Sequence, residues 1–355
     1  MAGGRGERFW PQSRLKRPKH LQPIVGSTSM LAQTVERLSG LVPPSNIYVI
    51  TNREQREAVV EDCPSLRPEH IVGEPVGRDT AAAVALATVL IKERDPKGVF
   101  ALLPADHVIH NARAFCKVLQ GAFGVAEKEP VLVTVGIKPT DAATGYGYIE
   151  RSDVRLNTED GSPVFNVARF VEKPDKSTAQ GYLDSGNYFW NAGMFVWSVS
   201  TIEAAFKAHA KTHHDALSEM YEKLNEGERL GPVLDRCYPG LEKISIDYAI
   251  MEKAKDVVVI ESAFDWDDVG EWPAVARHSD ADESGNVVRG DVVMDGAKGN
   301  IVISPSGHLT ALLGVEDLIV VQTADATLIC PKDQAQSIKQ LVQKVSSVPR
   351  YRHHL

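Results

Sequence analysis

Residues 1–21 read MAGGRGERFWPQSRLKRPKHL. Three glycines and four arginines in so short a stretch suggest a loop that meets anions, and the kind of loop decides among α/β folds. Glycines let successive backbone N–H groups turn toward one point, and fixed cations neutralise charge there. A dinucleotide fingerprint needs G-x-G-x-x-G. Here Gly4-x-Gly6 is followed by Phe9 in place of the third glycine, which would prevent close helix packing. A Walker loop needs G-x-x-x-x-G-K-[ST], a spacing that the stretch lacks. Two readings remain. One is a glycine turn carrying Arg5 and Arg8, with Lys19 further on, for some other polyphosphate; the other is a surface loop of solvated arginines.

Outward from this loop, NIYVIT (46–51), HIVGEP (70–75), GVFALLPAD (98–106) and VLVTVGI (131–137) are continuous apolar runs, as expected of a parallel sheet covered on both faces. Between them SMLAQTVERLSG closes on a glycine C-cap signal, and DTAAAVALATVLIKERD reads as an Ala-rich helix. Strand–helix alternation of this kind means an α/β sandwich. After about Gly285 short Val/Ile runs are broken by Gly, Asp and Asn, which predicts a small all-β domain of irregular solenoid coils, closed by the helix DQAQSIKQLVQKVSS. The expected domains are 1–280 and 285–347, packed directly because no low-complexity linker separates them.

The 355 residues are 43 % hydrophobic and 24 % charged, ordinary for a globular chain, and the net charge of -8 argues against nucleic acid as a partner. Against that background the cluster Arg5, Arg8, Arg14, Lys16, Arg17 and Lys19 suits a small polyanion in a pocket. Cys63, Cys116, Cys237 and Cys330 are scattered, without metal-ligand spacing, and read as reduced core thiols. The longest apolar stretch, TAAAVALATVLI (80–91), is too short to span a bilayer, and no signal peptide is visible. A cytoplasmic protein with no membrane partner is expected. His213-His214 and His353-His354 have no carboxylate or cysteine at ligand spacing and read as solvated; Trp190, Trp197 and Trp272 read as core and pocket wall.

AGGRGERFWPQSR…RPKHLQPI resembles the signature loop of the sugar-1-phosphate nucleotidyltransferases. The likeness continues in order through EPVGRDTAAAVALA, LLPADH, TGYGYIE, FVEKP, WNAGMFVW, SIDYAIMEKA and WDDVGEW, covering about residues 2–272. It implies a Rossmann-like, doubly wound catalytic domain followed by a small β-solenoid domain of the left-handed β-helix type. The Phe-Trp-Pro form of the loop implies the branch that joins GTP and mannose 1-phosphate into GDP-mannose and pyrophosphate.

The resemblance also implies roles. Gly3, Gly4, Arg5 and Gly6 would cradle the nucleotide, with Arg8 on the charge that develops in the reaction and Lys19 on the triphosphate. Asp106, at the end of an apolar strand, and Asp268, in FDWDDVGEW (264–272), would hold Mg²⁺, which takes one or two carboxylates plus phosphate oxygens and water. Asp267 is expected to serve a turn. Glu74, Arg78 and Thr80 would offer a purine edge an acceptor, a cation and a hydroxyl, alongside a helix N-cap at Asp79 or Thr80; Asp79 departs from the commoner Asn of the family. Lys173 would bind the sugar phosphate and Glu172 the sugar hydroxyls. Gly147 and Asn191, the latter beside the close-approach Gly193, would face the sugar, and Asp247 would either touch it or, as the residues favour slightly, cap the helix that follows.

Two rivals stay open: a different sugar or nucleotide, such as glucose 1-phosphate, and a catalytically silent subunit that senses nucleotide sugars. The second should lack a metal carboxylate or a loop cation, and Asp106, Asp268, Arg8 and Lys19 are all present. The assembly expected is a homodimer, and the chain stops ahead of the isomerase domain that long relatives append, so a monofunctional enzyme is expected. The family shows a short apolar strand ahead of its Ala-Gly-Gly turn, whereas only Met1 and Ala2 precede Gly3. That implies a central strand almost wholly missing, with an internal methionine taken as the start.

Overall fold

The computed structural model describes residues 1–159 and 161–355. Eight strands form the first part: β1 (Val49–Asn52), β2 (Ile71–Glu74), β3 (Val99–Leu102), β4 (Leu132–Ile137), β5 (Tyr148–Asn157), β6 (Pro163–Val171), β7 (Tyr188–Ser198) and β8 (Val257–Glu261). β3 to β8 make one sheet in the order β3-β7-β4-β8-β6-β5. The eleven-residue β7 is its axis, with β4 along one edge and β3, then β5, along the other.

The fold class is the doubly wound one expected, but strand direction differs from the expectation. Within this sheet only β4 and β8 pair in parallel; β7 runs against β3, β4 and β5, and β6 against β5 and β8. Continuous apolar runs report burial of both faces, which strands of either direction can have. In β8, Val257 and Val259 enter one core while Val258 and Ile260 enter another on the opposite face.

Four helices matter for the site: α1 (Met30–Arg37), α2 (Arg56–Asp62), α3 (Asp79–Arg94) and α4 (Ala112–Lys128). α1 starts because Ser29 accepts a hydrogen bond from the Ala32 N–H, and it ends at Leu38 in right-handed conformation, so Gly40 is not its cap. In α3 every residue from 81 to 90 is buried, as a helix apolar all round must be. It lies in the first core, and α4 helps build the second.

β1 and β2 form a separate parallel pair. Met1 and Ala2 lie between β1 and β3: the Ala2 N–H donates to Ile50 O at 2.8 Å, the Met1 ammonium to Leu103 O at 2.7 Å, and the Ala105 N–H to Met1 O at 3.0 Å. Beyond those contacts a cavity of about 520 Å³ separates the strands, lined by Ile50, Phe100, Leu102, Leu119 and Phe123 among others.

The C-terminal segment is a solenoid, as expected. β9 (Val287–Arg289), β11 (Ile301–Ile303) and β13 (Leu318–Gln322) stack in parallel; β10 (Val292–Asp295) pairs in parallel with β12 (Thr310–Leu313), and β14 (Thr327–Pro331) closes the stack antiparallel. The register Val287↔Ile301↔Ile319 aligns three turn residues with positive φ, Gly285, Gly299 and Asp317. Buried Asn300 bonds up and down this stack: its backbone N–H and its amide donate to Asn286 Oδ1 at 2.9 and 3.0 Å, and its own Oδ1 accepts from the Leu318 N–H at 2.9 Å. The closing helix begins as a 3₁₀ turn and is α-helical over Ile338–Ser347. Among the described residues no helix is long and apolar enough to cross a membrane.

Candidate active site

The opening loop is a tight turn. Gly6 adopts φ 60°, and a Cβ there would run into the Cβ of Lys19, so glycine is required for the loop to close over the lysine. Phe9 and Trp10 are buried and anchor the turn from below, while Gly3, Gly4 and Arg5 stay exposed. Arg5 faces Glu7 at 3.9 Å. Arg8 has a buried Nε with no hydrogen-bond partner, an unmet donor in the wall of the loop. Arg14 leaves the cluster and pairs with Asp325 of the solenoid at 2.7 Å.

Lys19 is 5 % exposed although it is a lysine, because all three of its N–H donors find acceptors. They reach Asp106 Oδ2 at 2.8 Å, Asp106 O at 3.0 Å and Asp268 O at 2.7 Å. The Asp106 carboxylate and the Asp268 main-chain carbonyl, 162 positions apart in the chain, are thus joined through one ammonium. Desolvation pushes the Asp106 carboxyl upward, but the Lys19 charge, His107 and the Lys19 hydrogen bond outweigh it and hold the group well below the usual range. Burial raises the Asp268 carboxyl, against the pull of Lys19 and of the Tyr146 hydroxyl, and the neighbouring Asp267 and Asp106 add to the rise. Tyr146 Oη donates to Asp268 Oδ1 at 3.0 Å. Asp267 points elsewhere, to Arg277 at 2.6 and 2.8 Å, to His278 at 2.8 Å and to the Val269 N–H.

A second group gathers the residues expected on the sugar. A Cβ on Gly147 would collide with the Glu172 carboxylate, and Gly147 O accepts from the Asn191 N–H at 2.8 Å. Asn191 Nδ2 donates to Asp247 Oδ1 at 2.7 Å. Asp247 opens a short π-helical turn (Asp247–Met251) but makes no capping hydrogen bond, so the capping expectation is corrected: its side chain turns to Asn191 instead. Burial, then the Glu172 charge, push its carboxyl up to about 6. Lys173 pairs with Glu172 at 2.8 Å and leaves most of its side chain in solvent. Tyr146 joins the two groups, since it holds Asp268 and is adjacent in the chain to Gly147.

The third group is Glu74, Arg78 and Thr80. Glu74 is buried at the end of β2, and its Oε2 lies 3.4 Å from where a Cβ of Gly3 would stand. Arg78 donates to Pro239 O, and Thr80 Oγ1 accepts from the Ile246 N–H at 2.8 Å. Asp79, with φ 65°, accepts from the Thr80 N–H at 2.8 Å.

Two family descriptions match this chain in tandem: nucleotidyl transferase over residues 1–285, and MannoseP isomerase/GMP-like β-helix domain over residues 290–345. The chain belongs to the nucleotidyl transferase family. It is 40 % identical to a mannose-1-phosphate guanylyltransferase of Salmonella montevideo over 99 % of this chain and 74 % of that protein. It is 37 % identical to one of Escherichia coli K12 over 100 % of this chain and 74 % of that one. A crystal structure from Thermus thermophilus, described as a mannose-1-phosphate geranyltransferase, superposes with a TM-score of 0.85 at 37 % identity, covering 98 % of both chains.

For a member of the nucleotidyl transferase family, two residues that hold candidate site carboxylates escape sequence reasoning. Tyr146 stands inside TGYGYIE with no role of its own there; Tyr238, which donates to Glu74, belongs to no motif. One histidine of each pair also needs correction, while His353 is exposed as expected. His213 is buried at 1 % exposure and stacks on Phe206, and His354 Nδ1 lies 3.0 Å from the Asp325 carboxylate. Trp197, Trp272 and Trp190 are buried, and the four cysteines are free, Cys63 and Cys237 in the interior.

Proposed function

We propose that this nucleotidyl transferase joins GTP and mannose 1-phosphate to give GDP-mannose and pyrophosphate. The observation that carries the reading is Lys19, which ties the two acids Asp106 and Asp268 together beneath a glycine turn whose Arg8 Nε is unmet. A phosphate oxygen of the sugar phosphate attacks the α-phosphorus of GTP in line, that new P–O bond forms, and the bond to pyrophosphate breaks. No covalent enzyme intermediate is needed. Catalysis is positioning and charge neutralisation.

Among the described residues no group of three or more His, Cys, Asp or Glu is placed to hold a metal. Two carboxylates whose shell is completed by phosphate oxygens and water fit Mg²⁺, and the raised Asp268 carboxyl beside two other acids marks a place that a cation would relieve. Mg²⁺ held by Asp106 and Asp268 would neutralise phosphate oxygens of the nucleotide. The remaining steps belong to side chains. Arg8 offers its free donor to the charge growing on the α-phosphoryl group. Lys19 ties the Asp106 carboxylate to the main-chain carbonyl of Asp268 and would release one of its three bonds to meet the triphosphate. Gly147, Glu172, Asn191 and Asp247 grip the mannose hydroxyls, with Lys173 on the sugar phosphate. Glu74 accepts from the base, and Gly3, Gly4, Arg5 and Gly6 line the phosphates, with Arg78 and Thr80 at the nucleotide edge. A cytoplasmic homodimer is part of this reading.

A panel of nucleoside triphosphates and sugar 1-phosphates, scored by pyrophosphate release with Mg²⁺, tests it. GTP with mannose 1-phosphate should give the highest kcat/KM; a clear preference for glucose 1-phosphate or UTP would overturn it.

A further inference from the structure

Glu74 is the one carboxylate of the nucleotide group, and a fully buried tyrosine holds it. Tyr238, at the end of the helix Leu230–Cys237, reaches across 164 positions of chain to donate to Glu74 Oε1. The other oxygen, Oε2, lies against Gly3 of the phosphate loop. The same stretch of chain fixes the whole group: Pro239 O takes Arg78, the Ile246 N–H meets Thr80 Oγ1, and Ile244 O accepts from the Ala81 N–H at 3.1 Å. Thr80 therefore has a structural partner already, Arg78 is tied to Pro239 O and keeps an unmet Nε donor, and Glu74 is left as the group with free acceptor capacity.

We propose, resting on the reading above, that Tyr238 is a positioning residue for nucleotide choice: its hydroxyl fixes the Glu74 carboxyl as the acceptor for a base edge with two N–H donors. Guanine offers that edge through N1–H and the 2-amino group. Adenine places a bare acceptor, N1, in the same position and meets a carboxylate with repulsion. A site built to accept such hydrogen bonds discriminates strongly, because a wrong base leaves a buried acceptor unmet.

The protonation state of Glu74 gives a second handle. Burial pushes its carboxyl up to about 7, with the Tyr238 bond and the Met1 ammonium pulling down and Asp79 pushing up. Only the ionised form accepts from both guanine donors, so GTP affinity should rise as pH passes upward through neutrality. Removing the Tyr238 hydroxyl removes a downward pull, so the rise should move to higher pH.

The test is calorimetric binding of GTP and ATP, at pH 6, 7 and 8, to the wild-type protein, Tyr238→Phe and Glu74→Gln. Tyr238→Phe keeps the ring in its pocket. At pH 7 it should lose about tenfold in the GTP-over-ATP ratio, the scale of a hydrogen bond to a charged group, with the KM for mannose 1-phosphate unchanged. Glu74→Gln should flatten the pH dependence of the ratio. An unchanged ratio in Tyr238→Phe, or equal losses for GTP and ATP, overturns the proposal. If Tyr238→Phe does not fold, Glu74→Gln decides: a wild-type ratio with its pH dependence intact overturns it. Binding ratios are read without turnover, so a protein that binds GTP selectively and makes no GDP-mannose refutes the proposed reaction instead.

Discussion

A side chain on Gly147 would strike the Glu172 carboxylate, so Gly147→Ala displaces the group assigned to the sugar hydroxyls. The KM for mannose 1-phosphate should rise about tenfold or more while GTP affinity stays level, the loss expected for a misplaced charged hydrogen bond. Steady-state kinetics with each substrate varied would check it; equal losses for both substrates would count against the assignment. Lys173→Ala should likewise weaken saturation by mannose 1-phosphate and leave GTP titration nearly unchanged, and a selective loss of GTP binding would contradict it. Backbone strain falls in the same places. Among the described residues four non-glycines have positive φ, and Asp79, Lys173 and Val269 each sit beside a candidate site residue. For a β-branched residue such as Val269 this is a strained state, kept because the fold over-determines it next to Asp268. The acids, glycines and loop cations were legible in the sequence because each sits in a motif. Tyr146 and Tyr238 were not, since their carboxylate partners lie 122 and 164 positions away and no local pattern marks a tyrosine as a carboxylate holder.

Strand positions were legible as apolar runs, and strand directions were not, because a residue buried on both faces reads alike in a parallel or an antiparallel ladder. β7 escaped as a strand of the central sheet for the same reason: WNAGMFVW reads as a sugar motif, yet it is the strand on which β3, β4 and β5 assemble. The gap beside β1 is an element-scale feature with a measurable consequence. Met1 and Ala2 link β1 to the segment just after β3, and the cavity next to them is lined by Ile50, Leu102, Leu119 and Phe123. Four Val, Ile or Leu residues added ahead of Met1 would pair with those edges and fill the apolar space. Each fully buried side chain of this kind is worth roughly 1.5–3 kcal/mol. The extended chain should melt roughly 5 °C higher or more, and turn over faster, because the strand that enters the phosphate loop is then held along its length. Side-by-side melts and pyrophosphate assays decide it, and equal melting and equal rates would show that the gap needs no strand.

At the scale of the whole molecule, the solenoid shares a core with the opening glycine loop. Phe9, Trp10, Ile24 and Val25 pack with Ile319, Val321, Leu328, Ile338 and Val342 in one buried cluster that also holds Val269 and Trp272. Trp10 Nε1 donates to His354 O at 2.8 Å, and the Arg14–Asp325 pair lies alongside. The second domain thus backs the loop and the segment after Asp268 at once. Ile319→Ala, at a fully buried position, should cost about 2–5 kcal/mol of stability. It should also raise the KM for GTP, and a lowered melting point with unchanged GTP kinetics would mean that the solenoid supports only itself. The tandem domains were legible from the change of texture near Gly285. The coil repeat was hard to see because successive coils differ in length, 14 residues from Val287 to Ile301 and 18 from there to Ile319.

The central claim is that Asp106 and Asp268 act together, through a divalent cation, in guanylyl transfer to mannose 1-phosphate. Its most direct measurement is GDP-mannose formed from GTP and mannose 1-phosphate with Mg²⁺ or with EDTA, by the wild-type protein and by Asp106→Asn and Asp268→Asn. Each variant should lose on the order of 10²-fold or more in kcat, the typical loss for an electrostatic catalytic group, and EDTA should abolish wild-type turnover. Full activity in EDTA, or a full-rate Asp268→Asn protein, would contradict the account.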